Sequence, residues 1–160
     1  MNRYYFLAQD YRYFERRLDE IERMIRELSE KDGDTSRSTD DPYYENFLYT
    51  EHSRSQFKWC RRLLELLHIR DNAKIISPEE PDNLVLPGKR ATYRMGKNKS
   101  LRSLLVGSYL NFTLEQAVAC SHPVARKLLG KKPGETCTVK IHDETIRLFI
   151  VGVKSAYPTV

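Results

Sequence analysis

Residues 3–31 read RYYFLAQDYRYFERRLDEIERMIRELSEK, and this stretch decides the first half of the fold. Its apolar residues recur at alternating steps of three and four, the heptad spacing of a helix that packs along a second helix. These residues are Tyr4, Leu7, Tyr11, Phe14, Leu18, Ile21, Ile25 and Leu28. Charged residues occupy most positions between them, and no Gly or Pro interrupts the pattern. The sequence therefore predicts a helix from about residue 3 to residue 31.

A polar break and a second heptad pattern follow. Residues 32–42 are rich in Asp, Ser and Thr and have nothing apolar to bury. Asp41 can cap a second helix whose first residue is Pro42, where the missing N–H does no harm. The pattern continues through Tyr49, His52, Gln56, Trp59, Leu63 and Leu66, which predicts a helix over 43–70. Two helices of similar length predict an antiparallel coiled coil in residues 1–76, with arms of roughly 40 Å and an acidic tip at 32–45.

Beyond the second helix the apolar period changes to two. Pro-containing residues 77–83 predict a linker. Strands are predicted over 91–95, 101–106, 116–120, 136–141 and 145–151. A short helix over 123–129 should end at Gly130, since glycine adopts a left-handed cap most easily. Residues 84–160 are therefore predicted to form a small antiparallel β domain with one short helix, and the fold class is α+β.

The net charge of +5 is unevenly distributed. Residues 1–76 carry 14 Lys/Arg and 15 Asp/Glu, whereas residues 77–160 carry 13 and 7. The basic second half suggests a polyanionic or acidic protein partner, although a solvated surface alone would also explain it. No apolar run approaches the roughly 20 residues of a membrane-spanning helix, and no signal-peptide core forms, so we expect a cytoplasmic protein without membrane contact. The three cysteines have no CxxC spacing, which predicts reduced, buried thiols rather than disulfides or a zinc site.

Three stretches resemble one protein family. Residues 123–135 (PVARKLLGKKPGE) resemble the "SPxxRxLLGKKxGD" segment in the C-terminal domain of the GreA/GreB transcript cleavage factors. Residues 45–49 (ENFLY) resemble the family's "ENxxY", which follows the tip of its coiled coil, and residues 105–107 (LVG) resemble the "IVG" that ends a strand. The ordered set is stronger evidence than any one motif. The resemblance implies an FKBP-like fold for residues 84–160.

The resemblance also implies a function. Gre factors are not enzymes; they bind RNA polymerase and stimulate its own hydrolysis of backtracked transcripts. The C-terminal domain would lie on the β′ subunit at the rim of the secondary channel, and the tip of the coiled coil would lie near the 3′ end of the nascent RNA. The protein would be a monomer with no cofactor of its own, since the tip acids help hold a second Mg²⁺ in the polymerase active site. The implied metal-supporting residues are Asp40, Asp41 and Glu45, the tip contacts are Tyr44, Asn46 and Tyr49, and the docking residues are Pro123, Arg126, Lys127 and Lys131.

The chemistry is consistent with these residue types. Mg²⁺ prefers carboxylate oxygens and keeps several waters, so one or two added carboxylates can complete its shell. Two-metal hydrolysis needs both ions, to stabilise the attacking and the leaving oxygen. The tip nevertheless departs from the family's "GDxxEN", because extra residues separate Asp34 from Glu45. Asp41 and Glu45 are four apart, which on a helix would place them on one face, but Asp41 is also the predicted cap. A second departure is His122, which stands where the family has Ser before Pro.

Each of these assignments has an ordinary alternative. The tip acids could form only a solvated turn with a helix cap, and the neighbouring aromatic residues Tyr43, Tyr44 and Phe47 could cover the end of the coiled coil. The basic residues Arg54, Lys58, Arg61 and Arg62 could face the transcript, or they could pair with Glu15, Asp19 and Glu22 of the first helix. Lys127, Lys131 and Lys132 could meet an acidic polymerase surface or simply end a helix in solvent.

Three rival functions stay open. A secondary-channel binder that modulates or inhibits RNA polymerase without cleavage is compatible with the altered tip. A peptidyl-prolyl isomerase is compatible with an FKBP-like domain, but it needs an aromatic-lined apolar pocket, of which the sequence gives no recognisable arrangement. A coiled-coil adaptor with no role at polymerase is the third.

Overall fold

The computed structural model describes residues 4–35, 42–77, 83–96 and 100–156, and the side chains of residues 31–35, 42–49 and 52 lie outside that description. The chain divides into two compact units. The helical unit comprises Phe14–Asn72, and the sheet unit joins Met1–Tyr13 to Ala73–Val160. The N-terminal residues, which the heptad pattern had assigned to the coiled coil, are thus part of the sheet unit.

The helical unit is an antiparallel pair. It contains most of α1 (Ala8–Thr35) and all of α2 (Pro42–Asp71), and only residues 36–41 separate the two helices. Gln56 of α2 donates a 2.8 Å hydrogen bond to the hydroxyl of Ser29 in α1, so the helices lie side by side. The buried apolar residues of the unit are Phe14, Leu18, Ile21, Leu66 and Ile69. The predicted coiled coil and the predicted second helix are confirmed, with Pro42 at the first helical position.

Both ends of α1 differ from the prediction. Residues 4–7 form strand β1 (Tyr4–Leu7), which pairs in parallel with β2 (Ala73–Ile76), so the helix predicted from residue 3 was wrong there. Four consecutive apolar residues fit a heptad and a buried strand equally well, and pairing with a segment far along the chain favours the strand. At the other end α1 continues past Lys31 through Gly33, because a glycine inside a helix costs only about 1 kcal/mol relative to alanine.

The sheet unit is built on a five-stranded sheet. Its strands are β3 (Lys89–Met95), β4 (Ser100–Gly107), β5 (Val118–Ala119), β6 (Thr136–Ile141) and β7 (Glu144–Ser155). They lie in the order β5-β4-β3-β7-β6, and a short helix, α3 (Pro123–Leu128), precedes β6. The α+β class and the two predicted hairpins are confirmed, but β5 pairs with β4 in parallel, so the sheet is mixed rather than purely antiparallel.

One face of this sheet carries the core. Its buried residues are Val85, Ala91, Tyr93, Val106, Cys120, Leu128, Val139, Leu148, Ile150 and Val153. Cys120 is a buried free cysteine, as predicted, whereas Cys60 and Cys137 are half-buried. Burial raises the pKa of the Cys120 thiol to about 11. A register shift between Thr92 and Tyr93 places Gly152 opposite Thr92 and Ile150 opposite Tyr93. The intervening Val151 is an added residue on β7, and the side chains of Ile150 and Val153 are buried on either side of it.

A buried carboxylate connects the start of α1 to the sheet unit, and no sequence pattern indicated it. Asp10 is fully buried and accepts hydrogen bonds from the backbone N–H groups of Phe112 and Thr113, each at 2.9 Å. It also accepts from the hydroxyl of Ser108, whose oxygen in turn accepts from the N–H of Leu7 at 2.9 Å. The loop after β4 is therefore held by one side chain from the other end of the sequence.

Candidate functional site

The predicted docking segment begins at a helix with an unusual cap. His122 is the N-cap of α3, with extended backbone angles, and its Nδ1 accepts a 3.3 Å hydrogen bond from the N–H of Val124. An imidazole nitrogen thus accepts the capping hydrogen bond in place of the serine oxygen expected from the family pattern. Pro123 follows at the first helical position, where it is exposed.

Backbone hydrogen bonds fix the turn that follows α3. Gly130 has φ of 74° and donates to the carbonyl of Val85 at 2.8 Å, while Val85 donates to the carbonyl of Lys131 at 2.9 Å. Further on, Gly134 has φ of 89° and donates to the carbonyl of Ile150 at 2.8 Å. Both glycines occupy left-handed backbone conformations that other residues rarely adopt. The segment 123–135 is therefore held at two places, by Val85 in the segment before β3 and by Ile150 of β7.

The basic side chains on this surface have few acidic neighbours. Arg126 and Lys127 are exposed, and Lys131 is half-buried, with its Nζ 4.0 Å from the carboxylate of Glu135. The other carboxylate oxygen of Glu135 accepts from the backbone N–H of Lys132 at 2.8 Å. An ion pair this long and this exposed contributes at most about 1 kcal/mol, so these charges remain available to a partner.

The thiol of Cys137 lies within the electrostatic influence of two of these lysines. Burial raises the pKa of Cys137, while the positive charges of Lys131 and Lys127 act to lower it. Burial is the larger effect, so the thiol is neutral and poorly nucleophilic. The lysines contribute positive potential to this corner without creating a reactive cysteine.

The glycine in residues 105–107, the stretch that resembles the family's "IVG", has a steric explanation. Gly107 ends β4, and a Cβ atom at this position would lie 2.8 Å from Cγ of Asn111. Asn111 is held in place because its side-chain amide donates to the carbonyl of Leu114 at 2.7 Å. Only glycine leaves room for that contact, which accounts for the glycine in residues 105–107.

The predicted tip residues fall largely outside the description. Asp40 and Asp41 lie outside the described residues. Tyr44, Glu45, Asn46 and Tyr49 belong to the backbone of α2, within its first two turns and a little beyond, and their side chains are not described. The roles assigned to these six residues stay predictions.

The basic residues of α2 pair within their own helix. Arg54 lies 3.2 Å from Glu51, and Arg62 lies 3.1 Å from Glu65, which is also 4.0 Å from Arg61. Among the described side chains, the partners of these arginines are thus α2 acids rather than the predicted Glu15, Asp19 and Glu22 of α1. All these groups are exposed, so the pairs are weak and exchangeable.

Within the described parts of the chain, no group of three or more His, Cys, Asp or Glu side chains is arranged to hold a metal ion. No helix in the same residues is both long and apolar enough to cross a membrane.

Comparisons with known proteins bear on the same region. The family model described as "Transcription elongation factor, GreA/GreB, C-term" matches residues 80–155. Residues 80–155 are therefore similar to the C-terminal domain of the GreA/GreB family. The match contains the docking segment and the Gly107 motif, whereas residues 45–49 lie outside it.

A curated relative with a similar description aligns over a somewhat longer stretch of the chain. The chain is 33% identical over 95 residues to "Transcription elongation factor GreA" of Roseiflexus sp. (strain RS-1). That alignment covers 58% of this chain, and the chain spans 60% of the relative's length.

Similar solved structures come from the same group of proteins. The GreA factor homolog 1 (Gfh1) protein of Thermus thermophilus has a TM-score of 0.45 and 15% identity, covering 96% of this chain and 100% of that one. The GreA/GreB elongation factor of Nitrosomonas europaea has a TM-score of 0.40 and 18% identity, covering 96% and 98%.

Proposed function

We propose that this protein is a Gre-type transcription elongation factor that binds RNA polymerase in its secondary channel and stimulates hydrolysis of backtracked transcripts. The observation that carries the proposal is the match of residues 80–155 to the GreA/GreB C-terminal domain, joined in one chain to an antiparallel helix pair. The protein is an accessory factor in this proposal, and polymerase supplies the catalytic centre.

The docking part of the proposal rests on the surface at α3. Pro123, Arg126 and Lys127 are exposed there, and hydrogen bonds to Val85 and Ile150 hold the turn after the helix. A fixed backbone lets a partner bind without first ordering the segment, which reduces the entropic cost of association. Exposed cations accelerate encounter with an acidic polymerase surface.

The chemical part of the proposal rests on the helix pair and the acids at its connection. Helices α1 and α2 have 28 and 30 residues, which corresponds to arms of about 42–45 Å. Asp41 and Glu45 are the leading carboxylates for the second Mg²⁺ of polymerase, with Asp40 as a further candidate. The ion would supply charge stabilisation in the hydrolysis, and this chain would supply oxygen ligands.

A backtracked elongation complex with Mg²⁺ tests the proposal. Adding the protein should release short RNA fragments from the transcript 3′ end and restart elongation. The variants Glu45→Ala and Asp41→Ala should lose this activity, while Glu51→Ala, a change of the same kind further along α2, should keep it. A factor that binds polymerase and leaves backtracked transcripts uncut contradicts the cleavage proposal.

The longer tip favours a second candidate function. Ten residues separate Asp34 from Glu45, whereas two residues separate the Asp and the Glu of the family pattern. In addition, α1 continues through Thr35. Such a tip could occupy the channel without delivering its carboxylates, which would make the protein an inhibitor or modulator of polymerase. In the same assay, slowed elongation without RNA release supports this second function.

A further inference from the structure

The five-stranded sheet has a second face that the proposed docking surface does not use. Side chains of α3 and the core occupy one face, since Ala125, Leu128, Val139 and Ile150 are buried there. We call the opposite side the outer face. It carries Arg90, Thr92, Arg94, Leu101, Ser103, Thr136, Thr138, Lys140, Arg147, Phe149, Val151 and Lys154.

Strand register brings apolar and basic groups together on the outer face, at the end of the sheet where β3 ends and β4 begins. Arg94 lies opposite Leu101 on one side and opposite Phe149 on the other, and Phe149 lies opposite Thr136. These four residues form a row across four strands, with neighbouring strands about 4.8 Å apart. An open depression of about 390 Å³ lies here, lined by Arg94, Gly96, Thr136, Arg147 and Phe149.

The apolar side chains of the outer face are unusually exposed for a sheet. Leu101 is 63% exposed, Val151 41% and Phe149 40%. Val151 reaches this face by the ordinary alternation of β7, two residues after Phe149, and the register shift that follows it turns Val153 inward. A group of exposed apolar side chains rimmed by polar residues is a feature typical of interaction sites.

The charges around this apolar centre are nearly all of one sign. Strands β3, β4, β6 and β7 contain one acid, Glu144, which stands at the first position of β7. In the described part of the chain, no ion pair involves Arg94 or Arg147. Two guanidinium groups therefore flank an exposed aromatic ring without carboxylates to neutralise them.

We propose that the outer face binds an acidic protein segment, with an apolar side chain of the partner against Phe149 and carboxylates on Arg94 and Arg147. Arginine forks bind carboxylates through two parallel hydrogen bonds, which suits both positions. Interfaces between proteins combine an apolar centre with arginine and a polar rim, as this face does. A single-stranded nucleic acid would need several aromatic side chains on which its bases could stack. Of the three exposed apolar side chains on this face, only Phe149 is aromatic, whereas Leu101 and Val151 are aliphatic. This second surface is independent of the polymerase-docking segment at α3.

Fluorescence anisotropy with the full-length chain tests the proposal. The probe is a short fluorescein-labelled peptide in which glutamates flank leucine and phenylalanine, and its counterpart has every glutamate replaced by glutamine. The double variant Arg94→Gln/Arg147→Gln should weaken binding of the acidic probe by about tenfold or more. Arg23→Gln/Arg26→Gln removes the same charge from exposed positions of α1 and should bind normally. Phe149→Ser tests the apolar contact, and circular dichroism checks that each variant is folded.

Each outcome decides for or against the outer face. Loss confined to the outer-face variants, together with weak binding of the glutamine peptide, supports it. If the α1 control variant loses as much affinity for the acidic peptide as the outer-face variants do, the attraction is non-specific and the proposal is overturned. It is also overturned if the parent chain binds the glutamine peptide as tightly as the acidic peptide, or does not bind the acidic peptide at all. An oligouridylate that displaces the acidic probe and depends on the same arginines would assign the face to RNA instead and would also overturn it.

Discussion

Asp10 shows how much a single side chain contributes to this fold. Its buried carboxylate accepts hydrogen bonds from Ser108 and from the amides of Phe112 and Thr113. In Asp10→Ala these buried donors would lose their acceptor, so we expect the sheet unit to lose about 3–4 kcal/mol of stability. Asp10→Asn keeps one acceptor oxygen and should lose about half as much.

Amide hydrogen exchange is the direct measurement of this effect. In Asp10→Ala the N–H groups of Phe112 and Thr113 should exchange faster than in the parent chain, well before other amides of the sheet unit. Asp19→Ala removes an exposed acid of α1 and should leave both rates unchanged. Unchanged protection at these two amides in Asp10→Ala would mean that the carboxylate does not hold the loop.

Cys120 should make stability depend on pH in the alkaline range. Burial raises the pKa of its thiol to about 11 from an ordinary value of 9.0. The folded state therefore holds the proton more tightly than the unfolded state, so stability present below about pH 9 is lost as the pH rises toward about 11. The loss attributable to this thiol should approach about 2–3 kcal/mol.

Urea unfolding at several pH values, compared with Cys120→Ala, isolates this contribution. The comparison matters because Tyr93 is a second core group whose pKa is raised by burial. Cys120→Ala should have a lower free energy of unfolding than the parent chain at neutral pH. Its free energy of unfolding should fall less than that of the parent chain when the pH is raised into the alkaline range. Parallel pH profiles for the two proteins would show that the thiol is not the group responsible.

Strands and helices with a repeated pattern were predictable from the sequence, whereas those defined by distant partners were not. The predicted strands over 91–95, 101–106 and 136–141 lie within β3, β4 and β6, because alternation is a local property of the chain. Strand β1 was missed because its partner β2 begins 69 residues after it in sequence. For the same reason, no local signal could have revealed that Asp10 binds residues 108–113.

The candidate site was predictable to a similar degree. The glycines after α3 were expected from the motif, and their positive φ values give the physical reason for them. The cap by His122 was not expected, since imidazole is uncommon in that role. The outer face was also missed, because the row of Leu101, Arg94, Phe149 and Thr136 arises from the pairing of four strands rather than from the sequence of any one of them.

Two paired residues of β1 and β2, Phe6 and Ile75, should contribute unequally to the stability of the sheet unit. Phe6 and Ile75 are partners in the register, but Phe6 is fully buried and Ile75 is 52% exposed. Phe6→Ala should therefore destabilise the unit by about 3–5 kcal/mol, and Ile75→Ala by about 1 kcal/mol or less. Amide exchange across β3, β4 and β7 measures the difference, because the single tryptophan, Trp59, lies in the helical unit and reports on that unit instead. Equal losses in the two variants would contradict the burial argument.

The proposed function assigns two different tasks, docking and support of catalysis, to the two units of the chain. The basic excess lies in the second half of the sequence, where the exposed cations of α3 and of the outer face are found, while the helix pair is nearly neutral. If docking and chemistry are divided in this way, substitutions in the two units should affect different kinetic constants. Such a difference between kinetic constants would distinguish a factor that delivers catalytic groups from a factor that only occupies the channel.

A titration of RNA release against factor concentration tests the division. Arg126→Glu/Lys127→Glu should raise the concentration needed for half-maximal cleavage by about tenfold and leave the saturated rate unchanged, because only encounter and binding are weakened. Glu45→Gln should lower the saturated rate by about 10- to 100-fold at an unchanged half-maximal concentration, because one oxygen ligand of the second Mg²⁺ is lost. If Glu45→Gln instead keeps its full rate and binds polymerase more weakly, Glu45 is a contact and not a metal ligand. Glu45 would then serve to position the tip, and Asp41 and Asp40 would be the remaining candidates to hold the ion.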